Sequence, residues 1–492
     1  MKNSTTLSFL LSIFLVLALI LTTRAQLQNT NWYFGNQTGL NFNDGTLPPT
    51  ILNNGVMSTQ GGTAVVSDEE GNLLFYTNSV NVWNKNHQIM KDGAGLYGST
   101  TVSQSVVVIQ KPFDAIKYYI ITNQGQEEGS HGLSYSSLDM EDNYGLGNVD
   151  YEKTNVQLLP YASEKLTAIF NPNDDSYWVI SFGPSTDPNV SDTFYAFKVD
   201  SYGINLAYQS KFTFPFEPNT DYTGGQMKIS PDGTSLALAH NTISRDDRYG
   251  ILNYTSLFRF EFDMYSGEVY SMNSQFICND VSVYGIEFSP DSSLLYVTST
   301  HTLNNNVYPL LESEFGTLYQ MNYRNQTQSN FGNILYEGLD PIYGLQLGID
   351  GKIYAVNSSG NLGVINNPNV EGFGANYQHE RIDLSGLAEK DLPQLMPYNT
   401  GSIIFEQKVY SVLSNPFDES LNTEFYITAS YELKLYNIYG TMVKFREVEI
   451  TSINQRISID AENLSDGVYI LTVQTQDFNN EIENTTVIKS DD

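Results

Sequence analysis

Five histidines, His87, His131, His240, His301 and His379, are the side chains best suited to hold a metal or move a proton near neutral pH. His240 and His301 follow Asp232 and Asp291 by eight and ten residues, and Asn78, Asn123 and Asn357 stand at similar offsets from Asp68, Asp114 and Asp350. If each offset marks an equivalent strand end, these five side chains are expected on one face, as a polar or metal-binding ring at the mouth of a funnel. The simpler expectation is polar residues at strand ends, because a metal needs convergent ligands with oriented outer partners. No His-x-Glu-x-x-His spacing supports zinc.

The acidic stretches Asp68-Glu69-Glu70, Asp139-Met140-Glu141-Asp142, Asp174-Asp175 and Asp246-Asp247 could offer oxygens to calcium, though none matches the twelve-residue EF-hand loop. The sequence predicts no resident cofactor, and calcium is an ion these turns could take. A glycosidase pair needs two carboxylates about 5–10 Å apart, and 55 acidic residues give no means of selecting one. Gly61-Gly62 and Gly224-Gly225 lack the Gly-Lys-Ser/Thr and strand-to-helix context of a phosphate loop. They are expected to let neighbouring strands approach closely near an axis.

Composition narrows the partners. The 492 residues carry 24 Lys and Arg against 55 Asp and Glu, a net charge of −31. Such a chain is a poor match for nucleic acid or an anionic membrane surface. Aromatics at 13% are too frequent for a disordered acidic tail. A single cysteine, Cys278, excludes an internal disulfide and cysteine-rich metal sites. Residues 1–25 read as a secretory signal peptide: Lys2 opens it, residues 7–21 are almost continuously apolar, and Ala25 and Gln26 flank the expected cut. The apolar run is shorter than the ~20 residues needed to cross a bilayer, and no second stretch approaches that length, so the mature chain is expected to hold no transmembrane segment.

The elements that must position any site repeat along the chain. Gly225-Gln226-Met227-Lys228-Ile229-Ser230-Pro231-Asp232-Gly233, Tyr284-Gly285-Ile286-Glu287-Phe288-Ser289-Pro290-Asp291-Ser292 and Tyr343-Gly344-Leu345-Gln346-Leu347-Gly348-Ile349-Asp350-Gly351 align, with their aspartates 59 residues apart. Weaker copies place Asp174, Asp114 and Asp68 at the same point. Each copy runs an alternating strand into an Asp/Gly turn and leaves on a second strand, and a further hairpin follows. Two hairpins make a four-stranded unit, and radial stacking of such units gives an all-β propeller over 26–405. Seven blades are favoured and six are the alternative. The seventh would form from the hairpin at Trp32–Phe42 and an orphan strand at 401–405, tying the ring shut. Residues 409–492 carry their own short strands and predict a small β-sandwich.

Four ordered stretches of this tail resemble the type A C-terminal sorting domain of the Bacteroidota type IX secretion system. They are Ser414-Asn415-Pro416-Phe417, the run from Leu433 to Val443 with Gly440, the run from Leu464 to Val473 with Gly467 and Tyr469, and the closing Val487-Ile488-Lys489. The resemblance implies export across the outer membrane by that machinery. Its sortase-like protease would then remove the tail, with attachment to surface lipopolysaccharide or release. Trp32-Tyr33-Phe34-Gly35-Asn36, Gly71–Thr77, Val82-Trp83-Asn84, Tyr343–Gly348 and Asp350–Tyr354 resemble the N-terminal region of large gliding-motility-associated surface proteins, a family that supplies a location but no catalytic residues to carry over. With no catalytic motif in view, the leading expectation is a surface or secreted binding and adhesion protein for a polysaccharide or an envelope protein. The alternative is an extracellular hydrolase or lyase acting on glycans or esters in the propeller funnel.

Overall fold

The computed structural model describes residues 27–42, 49–126, 130–188, 190–214, 224–246, 250–279, 282–302, 314–322, 332–397, 410–413, 416–425, 430–437, 441–451, 455–475 and 482–490. They fall into two compact units, within Met1–Gly372 with Tyr377–Phe405 and within Phe373–Asn376 with Glu406–Asp492.

In the first unit each repeated aspartate sits in a hairpin turn. The paired strands are Thr63–Ser67 with Leu73–Thr77 around Asp68, Val106–Gln110 with Lys117–Asn123 around Asp114, and Leu166–Asn171 with Ser176–Pro184 around Asp174. Met227–Ile229 with Ser235–Asp246, Ser282–Phe288 with Leu294–Thr302, and Ile342–Leu347 with Ile353–Asn357 flank Asp232, Asp291 and Asp350. The turn chemistry recurs atom for atom. Asp232 Oδ1 accepts from Ser230 Oγ (2.6 Å), Thr234 N (3.1 Å) and Thr234 Oγ1 (2.9 Å). Asp291 Oδ1 accepts from Ser289 Oγ (2.6 Å), Ser293 N (3.0 Å) and Ser293 Oγ (2.8 Å). The next residue must turn left-handed, with φ of +70° at Gly233, +60° at Ser292 and +74° at Gly351, which glycine adopts without strain.

Further strands complete each sheet, named here by its turn aspartate. The Asp68 sheet adds Asn81–Asn84 and Ile89–Ala94, the Asp174 sheet Ser191–Asp200 and Gly203–Lys211, and the Asp232 sheet Gly250–Phe262 and Val269–Asn279. Glu314–Asn322 and Asn333–Gly338 complete the Asp291 sheet, and Leu362–Ile365 and Tyr377–Ile382 the Asp350 sheet. The Asp114 sheet is irregular: both Asn148–Val149 and Val156–Leu159 pair with Leu133–Asp139, and Asn148 also bridges to Lys91 of the Asp68 sheet. An N-terminal sheet holds Asn31–Phe34, Thr38–Asn41 and Thr50–Leu52.

Burial on both faces explains the apolar strands, and the packing runs in a cycle, as a β-propeller requires. Tyr33, Val65 and Tyr76 join the N-terminal and Asp68 sheets, and Val66, Phe75, Val108 and Ile120 join Asp68 to Asp114. Ile121, Leu133, Val179 and Phe197 continue to Asp174, then Phe182, Phe194, Leu238 and Phe258 to Asp232, then Ala237, Leu257, Ile286 and Val297 to Asp291. The Tyr296 hydroxyl donates to Pro368 O (2.8 Å) and Thr298 Oγ1 to Tyr343 O (2.8 Å), linking Asp291 to Asp350. Trp32 and Phe42 return the cycle by packing with Tyr354 and Val364.

Residues 393–396 meet the N-terminal end of the chain. Asn29 exchanges two hydrogen bonds with the Met396 backbone (2.9 and 3.0 Å), and Pro393-Gln394 pairs in parallel with Thr63-Ala64. The closing strand expected at 401–405 lies outside the described residues.

Among the described residues the second unit has two sheets, Tyr410–Val412 with Ser420–Phe425 and Gln455–Asp460, and Met442–Glu449 with Ser430–Asn437, Gly467–Thr475 and Ile482–Lys489. Leu421, Phe425, Tyr431, Leu433, Leu435 and Leu471 fill the core these sheets share, as in a small sandwich. Among the described residues no helix is long and apolar enough to cross a membrane.

Candidate functional site

The innermost strands of the propeller enclose a cavity of about 500 Å³ at the end that carries the aspartate turns. Ile169 and Phe170, Ile229, Leu347 and Ile349, and Leu395 and Met396 give it apolar walls. Three of its polar groups come from one repeated position, four residues before the turn aspartate: Lys228, Glu287 and Gln346. Strand alternation turns each of them toward the axis, and the stagger brings them together. Lys228 Nζ donates to Glu287 Oε2 (2.9 Å) and Gln346 Oε1 (2.8 Å). Glu287 also accepts from the amides of Leu347 and Phe288 (3.0 Å each), and Gln346 Nε2 donates to Leu347 O (3.1 Å). All three side chains are buried, which makes the charge pair costly to break from one side.

At or just before the start of the innermost strands, side chains cross the axis. Gln104 bonds both the amide and the carbonyl of Met227 (2.7 and 2.9 Å). Gln226 Nε2 donates to Asp391 Oδ1 (3.1 Å), its Oε1 accepts from Ile286 N (3.1 Å), and Tyr284 Oη donates to Asp391 Oδ2 (2.6 Å). Lys165 Nζ donates to Gly225 O (2.6 Å). Burial pushes the Asp391 carboxyl up to about 7, against the pull of its hydrogen bonds. Burial lowers the Lys165 ammonium to about 8, partly offset by Glu164 and Asp391. Close approach depends on glycine here: a Cβ at Gly62 would stand 2.5 Å from Ser103 O, and Gly225 has φ +102°.

His240 lies mid-strand and 3% exposed, its ring against Phe182, Phe214 and Phe258. Burial, with the Lys165 charge, lowers its pKa to about 3, so the ring is neutral at physiological pH. His301 stands opposite Phe315 in the Asp291 sheet, and its side chain is outside the described residues. The asparagines tie backbone together. Asn78 Oδ1 accepts from Val80 N and Asn81 N (3.2 and 2.9 Å), and Asn123 bonds Ser163 O and Gly125 N (2.6 and 2.9 Å). Asn357 Nδ2 donates to His379 O (2.9 Å). Among the described lining residues none is His240, Asn78, Asn123 or Asn357.

Elsewhere, His87 sits between Tyr76 Oη and Asn54 Nδ2 (3.0 Å each), His131 stacks on Tyr97, and His379 Nε2 is 2.9 Å from Asp340 Oδ2. The acidic turns bind their own backbone: Asp68 Oδ1 accepts from Glu70 N and Asn72 N (3.0 and 2.8 Å), and Asp139 Oδ1 from Glu141 N (2.9 Å). Among the described residues no three His, Cys, Asp or Glu side chains converge as metal ligands. The reading from sequence missed Lys228, Glu287 and Gln346. Their signal was a polar residue recurring every 59 positions in an otherwise apolar inner strand.

In the tail, Tyr469 Oη donates to Ser465 O (2.7 Å), and Lys489 pairs in register with Gly467 and bridges in parallel to Phe417. Pro416 is exposed, and Asn415, Gly440, Ala25 and Gln26 lie outside the described residues.

Residues 411–489 match the family described as "Secretion system C-terminal sorting domain". No curated protein matches the chain in sequence. A functionally unknown protein from Desulfotomaculum acetoxidans is similar at 12% identity and TM-score 0.34, covering 80% of this chain and 96% of its own. A puromycin-hydrolyzing peptidase of Mycobacterium tuberculosis is similar at 10% identity and TM-score 0.37, with 92% of this chain and 60% of that one covered. PorZ, a surface component of the type IX secretion system of Porphyromonas gingivalis, is similar at 10% identity and TM-score 0.24, with 94% and 69% covered. Likenesses this remote bear on neither ligand nor chemistry. The tail match is of another kind: residues 411–489 are a type IX secretion sorting domain, and the chain is exported to the cell surface or the extracellular space.

Proposed function

We propose that the chain is a surface or secreted binding protein whose seven-bladed propeller takes its ligand, a polysaccharide or an envelope protein, at the axial cavity. The observation that carries this reading is the convergence of Lys228, Glu287 and Gln346 from equivalent positions of three successive repeats. Repetition supplies the scaffold, and departure from repetition, three different polar side chains at one position, supplies the specificity. On this reading residues 1–25 are cleaved as a signal peptide, and the type IX machinery's sortase-like protease removes the tail.

Glu287 is the buried carboxylate of the cavity, and its oxygens serve Lys228 and two backbone amides. That arrangement suits holding a ligand better than general acid–base work, which needs a proton to come and go. The test screens the full chain against a glycan array, an envelope-protein pull-down and a glycan and ester substrate panel in parallel. Binding without turnover, weakened at least about tenfold by Lys228→Met, is the expected result. Turnover of a glycan or ester would overturn the reading in favour of a hydrolase or lyase.

A further inference from the structure

Gln394 lines the axial cavity, is 9% exposed, and its Nε2 has no hydrogen-bond partner. Its backbone is fixed, since Gln394 pairs in parallel with Ala64 and the neighbouring Met396 is held on both sides by Asn29. A buried amide donor left unpaired is disfavoured, and a ligand carbonyl or hydroxyl that draws the side chain toward the cavity would complete it, the nitrogen itself being closed to solvent. The nearby donors have capacity in the same sense. Lys228 uses two of its three N–H groups and Gln346 one of its two, while the oxygens of Glu287 and Gln346 already accept.

We infer that the cavity recognises the acetamido group of an N-acetylated amino sugar, with Gln394 donating to its carbonyl; this rests on the reading of the cavity as the ligand site. Three observations select this chemistry. Lys228, Gln346 and Gln394 each keep a donor to spare, so a ligand that brings acceptors is matched. Lys228, the only cation in the lining, is matched by Glu287, and Asp232 stands at the mouth, so a neutral ligand is favoured over an anion. Ile229, Leu347, Ile349 and Met396 offer apolar wall for a methyl group. A sugar suits these donors because its hydroxyls can rotate to donate or accept, whereas the N–H of a peptide is fixed as a donor.

The experiment is calorimetric titration of the full chain with chitotriose and with cellotriose, which differ in acetamido against hydroxyl. Chitotriose is expected to bind at least about tenfold tighter, the worth of one buried hydrogen bond. Gln394→Leu is expected to erase that preference, and Gln394→Glu, which replaces the donor by a charged acceptor, to do the same if the leucine variant fails to fold. Equal affinity for the two sugars, a preference that survives both substitutions, or tighter binding of an amidated apolar tripeptide would each overturn the inference. If the array and the pull-down still find a ligand sensitive to Lys228→Met, the acetamido inference fails while the cavity reading stands. If no ligand depends on Lys228, both fall.

Discussion

Replacing Glu287 by leucine removes the carboxylate that receives Lys228 at 2.9 Å and the amides of Leu347 and Phe288 at 3.0 Å each. Both charged side chains are little exposed, 11% for Lys228 and 6% for Glu287, so solvent screens them weakly. Removing one partner leaves a buried ammonium with the Gln346 oxygen alone, and such losses cost about 3–5 kcal/mol. Lys228→Met leaves Glu287 its two amide donors and is expected to cost about 1–3 kcal/mol. The double variant has no buried charge and keeps only the two orphaned amides, again about 1–3 kcal/mol. The pair should therefore couple by roughly 4 kcal/mol. Urea unfolding followed by Trp32, Trp83 and Trp178 fluorescence reads the propeller alone, since the chain's three tryptophans are buried there. Additive single costs, or singles below about 0.5 kcal/mol, would refute the argument that this pair is a desolvated unit.

Asp391, held up to about 7 against an ordinary 3.8, keeps its proton when folded and loses it when unfolded across that window. Its contribution to stability therefore falls as pH rises from about 4 to 7, by at most roughly 4 kcal/mol, and Asp391→Asn should flatten this part of the stability profile; an unchanged slope would contradict the burial argument. Gly351 has φ +74°, so Gly351→Val should lower the melting temperature by a cost of about 1 kcal/mol or more, and an unshifted melt would show that the turn tolerates a branched side chain. Deleting residues 409–492 should strand the chain in the periplasm, which fractionation and surface proteolysis would read. Arrival of the truncated chain at the surface would remove the sorting role of the tail.

The propeller was legible because its turns are chemical and local: a Ser-x-Asp hairpin with a left-handed residue after it leaves the same mark wherever it recurs. The closure at 393–396 was not, since a two-residue strand opening on proline has no alternation to read. The candidate residues do not meet at the cavity, for a geometric reason. Offsets from the turn aspartate locate a strand end only if the strands are of equal length, and Ser235–Asp246 has 12 residues where Ile353–Asn357 has 5. His240 therefore lands within the sheet, among phenylalanines, while Asn123 and Asn357 close their strands. Lys228, Glu287 and Gln346 were printed in the aligned repeats, yet whether a polar residue in an apolar strand faces the axis depends on the ring, which only the packing supplies. Gln394 had no local signal at all.

The most direct measurement is a crystal structure of the full chain with chitotriose. The account predicts sugar density in the axial cavity, its acetamido oxygen within hydrogen-bond distance of Gln394 Nε2. Sugar bound on another surface, with the space between Lys228, Gln346 and Gln394 holding none, would contradict it.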